Sequence, residues 1–438
     1  MKYKIEQGNE EINSTGGISL VGGILNKSDV FVNSEFERGG GDLTHDAHCK
    51  SMIALLCEGR SDFVDIELHK HDRVFKESLG LKQVPSESSF RQRLGEAAHY
   101  GPKKISKENL KILSSVEAFH TLKGDGVEYI PAHYDVTPMD NSGSRKEGSS
   151  RTYKGFDGYA PMMVYVGTQG YMLNCELRKG SDHCQKGTVE FLKETFLLSD
   201  ELELDNVLHI MDSGNDSSEN IDLFLEEDRW FIIKRNPRKE HLARLISNAL
   251  AFGDKTSPRQ GKNVYTGVLS DTRPPKLKSE KPIFLHFEVT ERISDADGQL
   301  LLIPEYKINS WWSNIPDYTS TVIEFYHTQG TSEQFHSEYK IDLDLERLPS
   351  GAFATNDLIL RLGMMAFNTL RLIGQSALEL CEFLPIKLNV KRRRLASVMK
   401  DLIYIACKRV SHGNRIILKF GRNCPWFTVF RKLSLKFC

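Results

Sequence analysis

Carboxylates at the ends of strands are the first residues in this sequence that could do chemistry. EYIPAHYDV and NVLHIMD read as strands, and Asp135 and Asp212 lie at their ends. The first runs on into VTPMDNSG and the second into SGNDSSEN, so neither continues as strand. A carboxylate at the carboxyl end of a buried strand lies where open α/β sheets hold their ligands. Two on neighbouring strands repel each other unless a cation sits between them. Magnesium suits such a pair, because it takes one or two carboxylates, keeps waters and binds substrate phosphates. A third carboxylate from a helix would complete a two-metal site, which clamps the attacking and leaving oxygens of an in-line phosphoryl displacement. Glu333 is the candidate. Aspartate also ends strands simply because turns favour it, and 59 acids offer many trios. Asp140 and Asp216 are near alternatives, and Asp140, beyond the strand end, reads as a turn residue.

Glu333 sits in YHTQGTSEQFHSEYK, residues 326–340, which also holds His327 and His336. Tyr326, Glu333 and Lys340 are seven positions apart. Seven residues are nearly two helical turns, so a continuous helix points all three the same way. A solvent-facing helix can do this by accident. A helix that grips a metal and a phosphate backbone does it for cause. Gly330 costs about 1 kcal/mol in a helix interior, so the helix can instead begin there, with Thr331 or Ser332 near its cap. Only Glu333 and Lys340 then share a face strictly.

The elements around these groups follow from periodicity. Residues 44–98 read as helices: THDAHCKSMIALLCEG with a Thr cap, DRVFKESLGL stopping near Gly80, and VPSESSFRQRLGEAA opening at Ser86. The last places Arg91 and Arg93 on an exposed face. Short helices with a basic final one resemble a helix-turn-helix DNA reader, and equally a plain helical bundle. Three strands follow, the second and third joined at Thr168-Gln169-Gly170. Then come helix, strand, helix and strand, ending in WFIIKRN. A meander followed by βαβ units gives a mixed sheet with helices on its faces. The expected fold class is α/β, with the strand order of a ribonuclease H-like sheet. Residues 238–320 read as a β-rich insertion, after which a helix follows Asn356 and a basic region closes the chain. The division expected is 1–120 helical and DNA-binding, 121–237 and 321–380 catalytic, 238–320 inserted, and 381–438 helical and basic.

Composition narrows the partners. The net charge of −1 is uninformative, but fourteen Lys and Arg face one acid, Asp401, between Lys387 and Cys438. A basic tail on an acidic body suggests a polyanion partner, against the plainer reading of a solvated basic helix. Lys234, Arg235, Arg238 and Lys239 form a second basic cluster that could track phosphates or merely be solvated. Trp311 and Trp312 could stack on an unpaired base, although a buried aromatic pair is the plainer reading. No run reaches the length of a membrane span, and MKYKIEQGNEEINSTGG has no apolar core of a secretory signal. The eight cysteines form no CxxC pair, as expected of reduced, mostly buried cysteines in a cytoplasmic protein. His45, His48 and Cys49 invite a zinc reading, but no second ligand pair follows at finger spacing.

Taken together, Tyr326, Glu333 and Lys340 at these spacings closely resemble the Tyr-Arg-Glu-Lys signature of DDE-type insertion-sequence transposases. HYDVTPMDNSGSRKEG resembles their first-aspartate region and IMDSGNDS their second. The intervals between the acids, 77 and 121 residues, resemble those of members with a β-rich insertion. The resemblance covers roughly residues 120–375. It implies that Asp135, Asp212 and Glu333 bind two Mg²⁺ ions, for which Mn²⁺ can substitute, and that Tyr326 and Lys340 lie near DNA phosphates. It departs at Gln329, where the pattern has Arg; a neutral amide replaces a charged fork, which puts DNA-end binding strength in doubt. It implies cleavage at terminal inverted repeats, a freed 3′-OH that attacks target DNA, a homodimer on DNA, and a cytoplasmic, nucleoid-associated protein. The competing readings are a ribonuclease H-like nuclease without strand transfer and a catalytically impaired, transposase-derived DNA-binding protein. A glycosidase carboxylate pair is distant, since nothing marks a sugar cleft.

Overall fold

The computed structural model describes residues 3–34, 36, 43–238, 242–295, 298–413 and 415–438. Its centre is a ten-stranded mixed sheet. Five strands carry the site: β1 (Glu128–Val136), β2 (Met162–Val166), β3 (Tyr171–Glu176), β4 (Val207–Met211) and β5 (Trp230–Lys234). Four more extend it: β6 (Asp254–Arg259), β7 (Lys262–Leu269), β8 (Phe284–Ser294) and β9 (Leu300–Ser313). The order across the sheet is β6-β7-β8-β9-β5-β4-β1-β2-β3, with Leu122–Lys123 pairing on β1. β1, β2 and β3 form an antiparallel meander, while β4 runs parallel to β1, and β5 parallel to β4. β9 then returns antiparallel along β5, so the strands after residue 238 prolong the central sheet.

Parallel strands in the middle of a sheet are covered on both faces, and their sequences are correspondingly apolar throughout. β2 and β4 are buried along their whole length. Proline inside β1 would be a poor fit in a central strand. Pro131 is tolerated because the ladder to β2 begins only at Ala132, and its carbonyl still accepts from Gly167 N–H at 2.9 Å.

Helices α1 (His45–Cys57), α2 (Glu87–Ala97) and α3 (Pro102–Leu113) pack on a long buried helix further along the chain. Two more, α4 (Thr188–Glu201) and α5 (Ser218–Glu226), cross between the parallel strands. The opposite face of β1, β4 and β5 is covered by α6 (Thr319–His327), whose Val322, Ile323 and Phe325 meet Tyr129, Leu208, Ile210, Ile232 and Trp311. A tight turn over Thr328–Thr331 leads from α6 into α7 (Ser332–Ser337), and a wide π turn over Glu338–Asp342 follows. The long helix is α8 (Phe353–Glu379), 27 residues and buried almost throughout, beginning three residues before Asn356. The helices before residue 120, the sheet, α8 and the final helix share one continuous apolar core.

Part of the basic tail is tied to acids of the chain, while Lys387, Lys391, Lys400, Arg415, Lys419, Arg422 and Arg431 are exposed. Arg392 pairs with Glu338, Arg393 with Asp401, and Arg394 with Asp342. Glu338 also receives Arg371 at 3.0 Å and Leu395 N–H at 3.0 Å, all of them buried or nearly so. Removing one partner of a buried pair strands the other charge, at a cost of about 3–5 kcal/mol. Glu338→Ala should therefore lower the urea unfolding free energy by about that amount, whereas Glu10→Ala, at an exposed pair with Lys408, should leave it nearly unchanged. Equal, small losses in both would show that the network does not hold the tail.

Candidate functional site

The register of the parallel strands places the two aspartates together. Tyr134 pairs with Met211, so the next residues, Asp135 and Asp212, are neighbours at the carboxyl ends of β1 and β4. Ile233 pairs with Met211, and Lys234 with Trp311. One row across the sheet therefore reads Asp135, Asp212, Lys234, Trp311. Alternation along each strand turns this row toward α6, the face of Tyr129, Ile210 and Ile232.

The electrostatics record the crowding. Burial, and then the charge of Asp135, raise the pKa of Asp212, while Asn215 and Lys234 oppose the rise. Asn215 donates to Asp212 Oδ1 at 2.8 Å. Asp135 Oδ1 accepts Val136 N–H at 2.8 Å, and Oδ2 lies 3.1 Å from His336 Nε2. His336 Nδ1 is in turn 3.1 Å from the Tyr165 hydroxyl. Sequence reasoning noted His336 but gave it no role; its signal was its place one turn after Glu333. Burial lowers His133, on the same face two residues before Asp135, to about 4, so it stays neutral and does not offset the carboxylates; His209, lowered to about 3, lies on the opposite face against Tyr134, Phe196 and Phe224.

Glu333 opens α7 and is exposed. It lines a cavity of about 530 Å³ with Asp135, His336 and Lys340, so the structure brings these four together. Asp212 does not line that cavity, and among the described residues no three His, Cys, Asp or Glu side chains converge on a common metal position. His45 and His48 are bound to Glu96, Thr44 and Ser89 instead. α7 is set in place by Phe335, whose ring packs against Gly170 in the turn between β2 and β3. Gly170 has φ +71°, and a Cβ there would lie 2.2 Å from the ring. Lys340 Nζ reaches the Pro138 carbonyl at 3.2 Å and Glu346 at 3.4 Å.

Tyr326 is half-buried against Trp311, with Lys234 Nζ 6.0 Å from its ring centre. Burial, with Asp212 and Asp135 behind it, raises its hydroxyl pKa. Gln329 points inward: Nε2 donates to the Tyr134 carbonyl at 3.1 Å, and Oε1 is buried without a partner. Trp311 and Trp312 are 1% and 2% exposed, so the stacking surface read from the sequence is closed and the buried pair is what is found. Arg91 pairs with Glu87 and lies over Phe63, and Arg93 pairs with Glu96, far along the chain from the carboxylates. Asp140, read as a turn residue, instead ends the short strand Met139–Asp140 and accepts Ser142 N–H from the turn after it, and Asp216 accepts Asn236 N–H. Lys239 lies outside the described residues.

Residues 43–437 match the family model described as transposase DDE domain group 1. The chain belongs to that family. The transposase match spans the N-terminal helices and the basic tail as well as the sheet. A search of the curated proteins returns no match. Among solved structures, the cryo-EM structure of a piggyBac transposase synaptic complex with hairpin DNA is similar over 90% of this chain and 80% of that one. The identity is 10% and the TM-score 0.40, a likeness too weak to place any residue. Among the described residues no helix is long and apolar enough to cross a membrane.

The crowded pair makes a pH prediction. A carboxyl whose folded pKa is raised favours folding below the ordinary carboxylate range and disfavours it above. Asp212→Asn should therefore raise the melting temperature of the metal-free protein at pH 7, by roughly 2 °C, and give no gain at pH 3. Thermal melts at the two pH values with EDTA check it. A loss at pH 7 would mean that Asp212 is stabilised by Lys234 more than it is strained by Asp135.

Proposed function

We propose that this DDE-family protein cleaves and joins DNA strands by metal-dependent phosphoryl transfer at the terminal inverted repeats of an insertion sequence, with Asp135, Asp212 and Glu333 as the carboxylate set. The observation that carries this is the register neighbourhood of Asp135 and Asp212 at the ends of two parallel strands. The sheet order, with the third, second, first, fourth and fifth strands side by side, supports a ribonuclease H-like core. The donor chemistry suits a hard divalent ion: all three are carboxylates, Asp135 and Asp212 are forced neighbours, and neutral His133 on their face adds no compensating charge.

Asp135 and Asp212 would hold the ions with Glu333 as the third ligand. When bound there, Mg²⁺ or Mn²⁺ supplies a water of lowered pKa and Lewis acidity at the scissile phosphate. The protein does the rest. The strand ends fix two carboxylates rigidly. His336 orients Asp135 through Oδ2 and leaves its other lone pair free for the ion. Lys234 and Lys340 stand on either side of the acids, where a phosphodiester needs cations. Gln329, turned inward, holds the strand carbonyl beside Asp135, so the phosphate grip falls to the lysines. Pairing of two DNA ends implies a homodimer on DNA, and a protein acting on the nucleoid.

Two measurements test this. Labelled DNA carrying the element's own terminal repeats should be nicked with Mg²⁺ to expose a 3′-OH, not with EDTA, and not by Glu333→Ala; joining of that end to a second DNA separates a transposase from a nuclease. Binding without cleavage in wild type would favour an impaired descendant. Separately, His336→Ala should weaken Mn²⁺ binding about 10–100-fold by titration calorimetry, with partial rescue by His336→Gln, whose amide can also donate. Unchanged affinity would leave His336 a packing residue.

A further inference from the structure

The cavity beside Asp135 has an aromatic rim that none of the roles above employs. RTYKGFDG, residues 151–158, forms the tip of a small hairpin whose strands Ser150–Arg151 and Asp157–Tyr159 pair with each other, with Met139–Asp140 alongside. The tip is rigidly tied: Thr152 N–H donates to Phe156 at 2.8 Å, Gly155 N–H to Thr152 at 3.0 Å, and Gly155 takes φ +87° to close the turn. Thr152 is buried beneath it, its hydroxyl 2.9 Å from the Phe156 carbonyl.

Tyr153 stands on this tip. It is 69% exposed, yet it lines the same cavity as Asp135, Glu333 and Lys340. Its hydroxyl reaches down to the Val136 carbonyl at 3.4 Å, one residue past Asp135, while its ring stays open. Burial of that hydroxyl end, with the charges of Asp135 and Asp212 nearby, pushes its pKa up to about 12. Lys154 Nζ lies 5.6 Å from its ring centre. An open ring beside a cation on a rigid tip is the composition of a single-strand stacking platform, where a base lies on the ring and its phosphate on the ammonium. A cavity of about 530 Å³ is within the size range of a small-ligand pocket, room enough for a nucleotide.

We propose that Tyr153 is the residue on which an unpaired base stacks next to the reacting phosphate, the role that buried Trp311 and Trp312 cannot fill. This rests on the DNA reading of the same site. The test uses the full chain with EDTA present, so that no strand is cut. The probes are a duplex with a three-nucleotide single-stranded tail carrying 2-aminopurine, and the blunt duplex of the same sequence. Wild type should quench the 2-aminopurine fluorescence of the tailed DNA. Tyr153→Ala should bind the tailed DNA about tenfold more weakly, without quenching, and bind blunt DNA as wild type does. Tyr153→Trp should restore both signals. Tyr153→Ala that binds and quenches tailed DNA like wild type overturns the assignment, as does an equal loss on both DNAs, which marks a general backbone contact. Wild type that binds neither DNA overturns the DNA reading itself, and this inference with it.

Discussion

Everything about the site follows from two carboxylates being held side by side against their mutual repulsion. Asp135 and Asp212 cannot slide apart, because a shift of one residue in a parallel strand would turn its whole buried set to the wrong face. Ile130 to Tyr134 and Val207 to Met211 are paired residue by residue, and both strands are covered above and below. The apolar core thus enforces the register, and the register enforces the crowding. The surroundings do little to relieve it. Lys234 is half-buried on the next strand, His336 contacts Asp135 but not Asp212, and His133 on the same face is neutral. A site that leaves two acids this poorly compensated is suited to a cation brought from solution.

The third acid is carried differently. Glu333 sits on a short helix between a tight turn and a wide π turn, and such irregular turns recur at functional positions. That helix is fixed from two directions. Phe335 is wedged against Gly170, and Glu338 is gripped by Arg371 and Arg392. Arg392 also donates to Gln334, the residue after Glu333, at 2.8 Å. Two acids thus stand at buried strand ends, and the third stands exposed on a short helix whose neighbours are packed.

The strands and the long helices were legible because their apolar residues recur with a clear period over five or more positions. β1 was readable from EYIPAHYDV to the residue. The hairpin bearing Tyr153 was not, because strands of two or three residues have no period to read. The tail was legible only as a charge count. Counting fourteen cations says nothing of where they point: Arg392, Arg393, Arg394 and Arg409 meet acids within the chain, while Lys387, Lys391, Lys400, Arg415, Lys419, Arg422 and Arg431 are exposed. The tryptophans misled because an aromatic pair near a site reads the same in sequence whether it faces a ligand or the core. Their register opposite β5 buries them. Gly330 lies in a tight turn between two helices, so Tyr326 belongs to a helix of its own and is rotated out of the simple row with Glu333.

Gln329 is the position where the resemblance read from the sequence and the structure bear on each other most directly. In the signature that the sequence resembles, an arginine stands there. In place, its amide N–H satisfies the carbonyl of Tyr134, immediately before Asp135, while Oε1 is buried with nothing to receive. An unmade bond at a buried oxygen costs free energy, so the side chain is held inward by what Nε2 gains rather than by what Oε1 finds. A guanidinium there would need to bury a charge or turn outward, and turning outward would release the strand end that positions Asp135. The same residue cannot both brace the strand from within and grip a phosphate from without. Here the bracing role is the one that is filled, and the cation of this part of the sheet is Lys234, next to Asp212 on the adjoining strand.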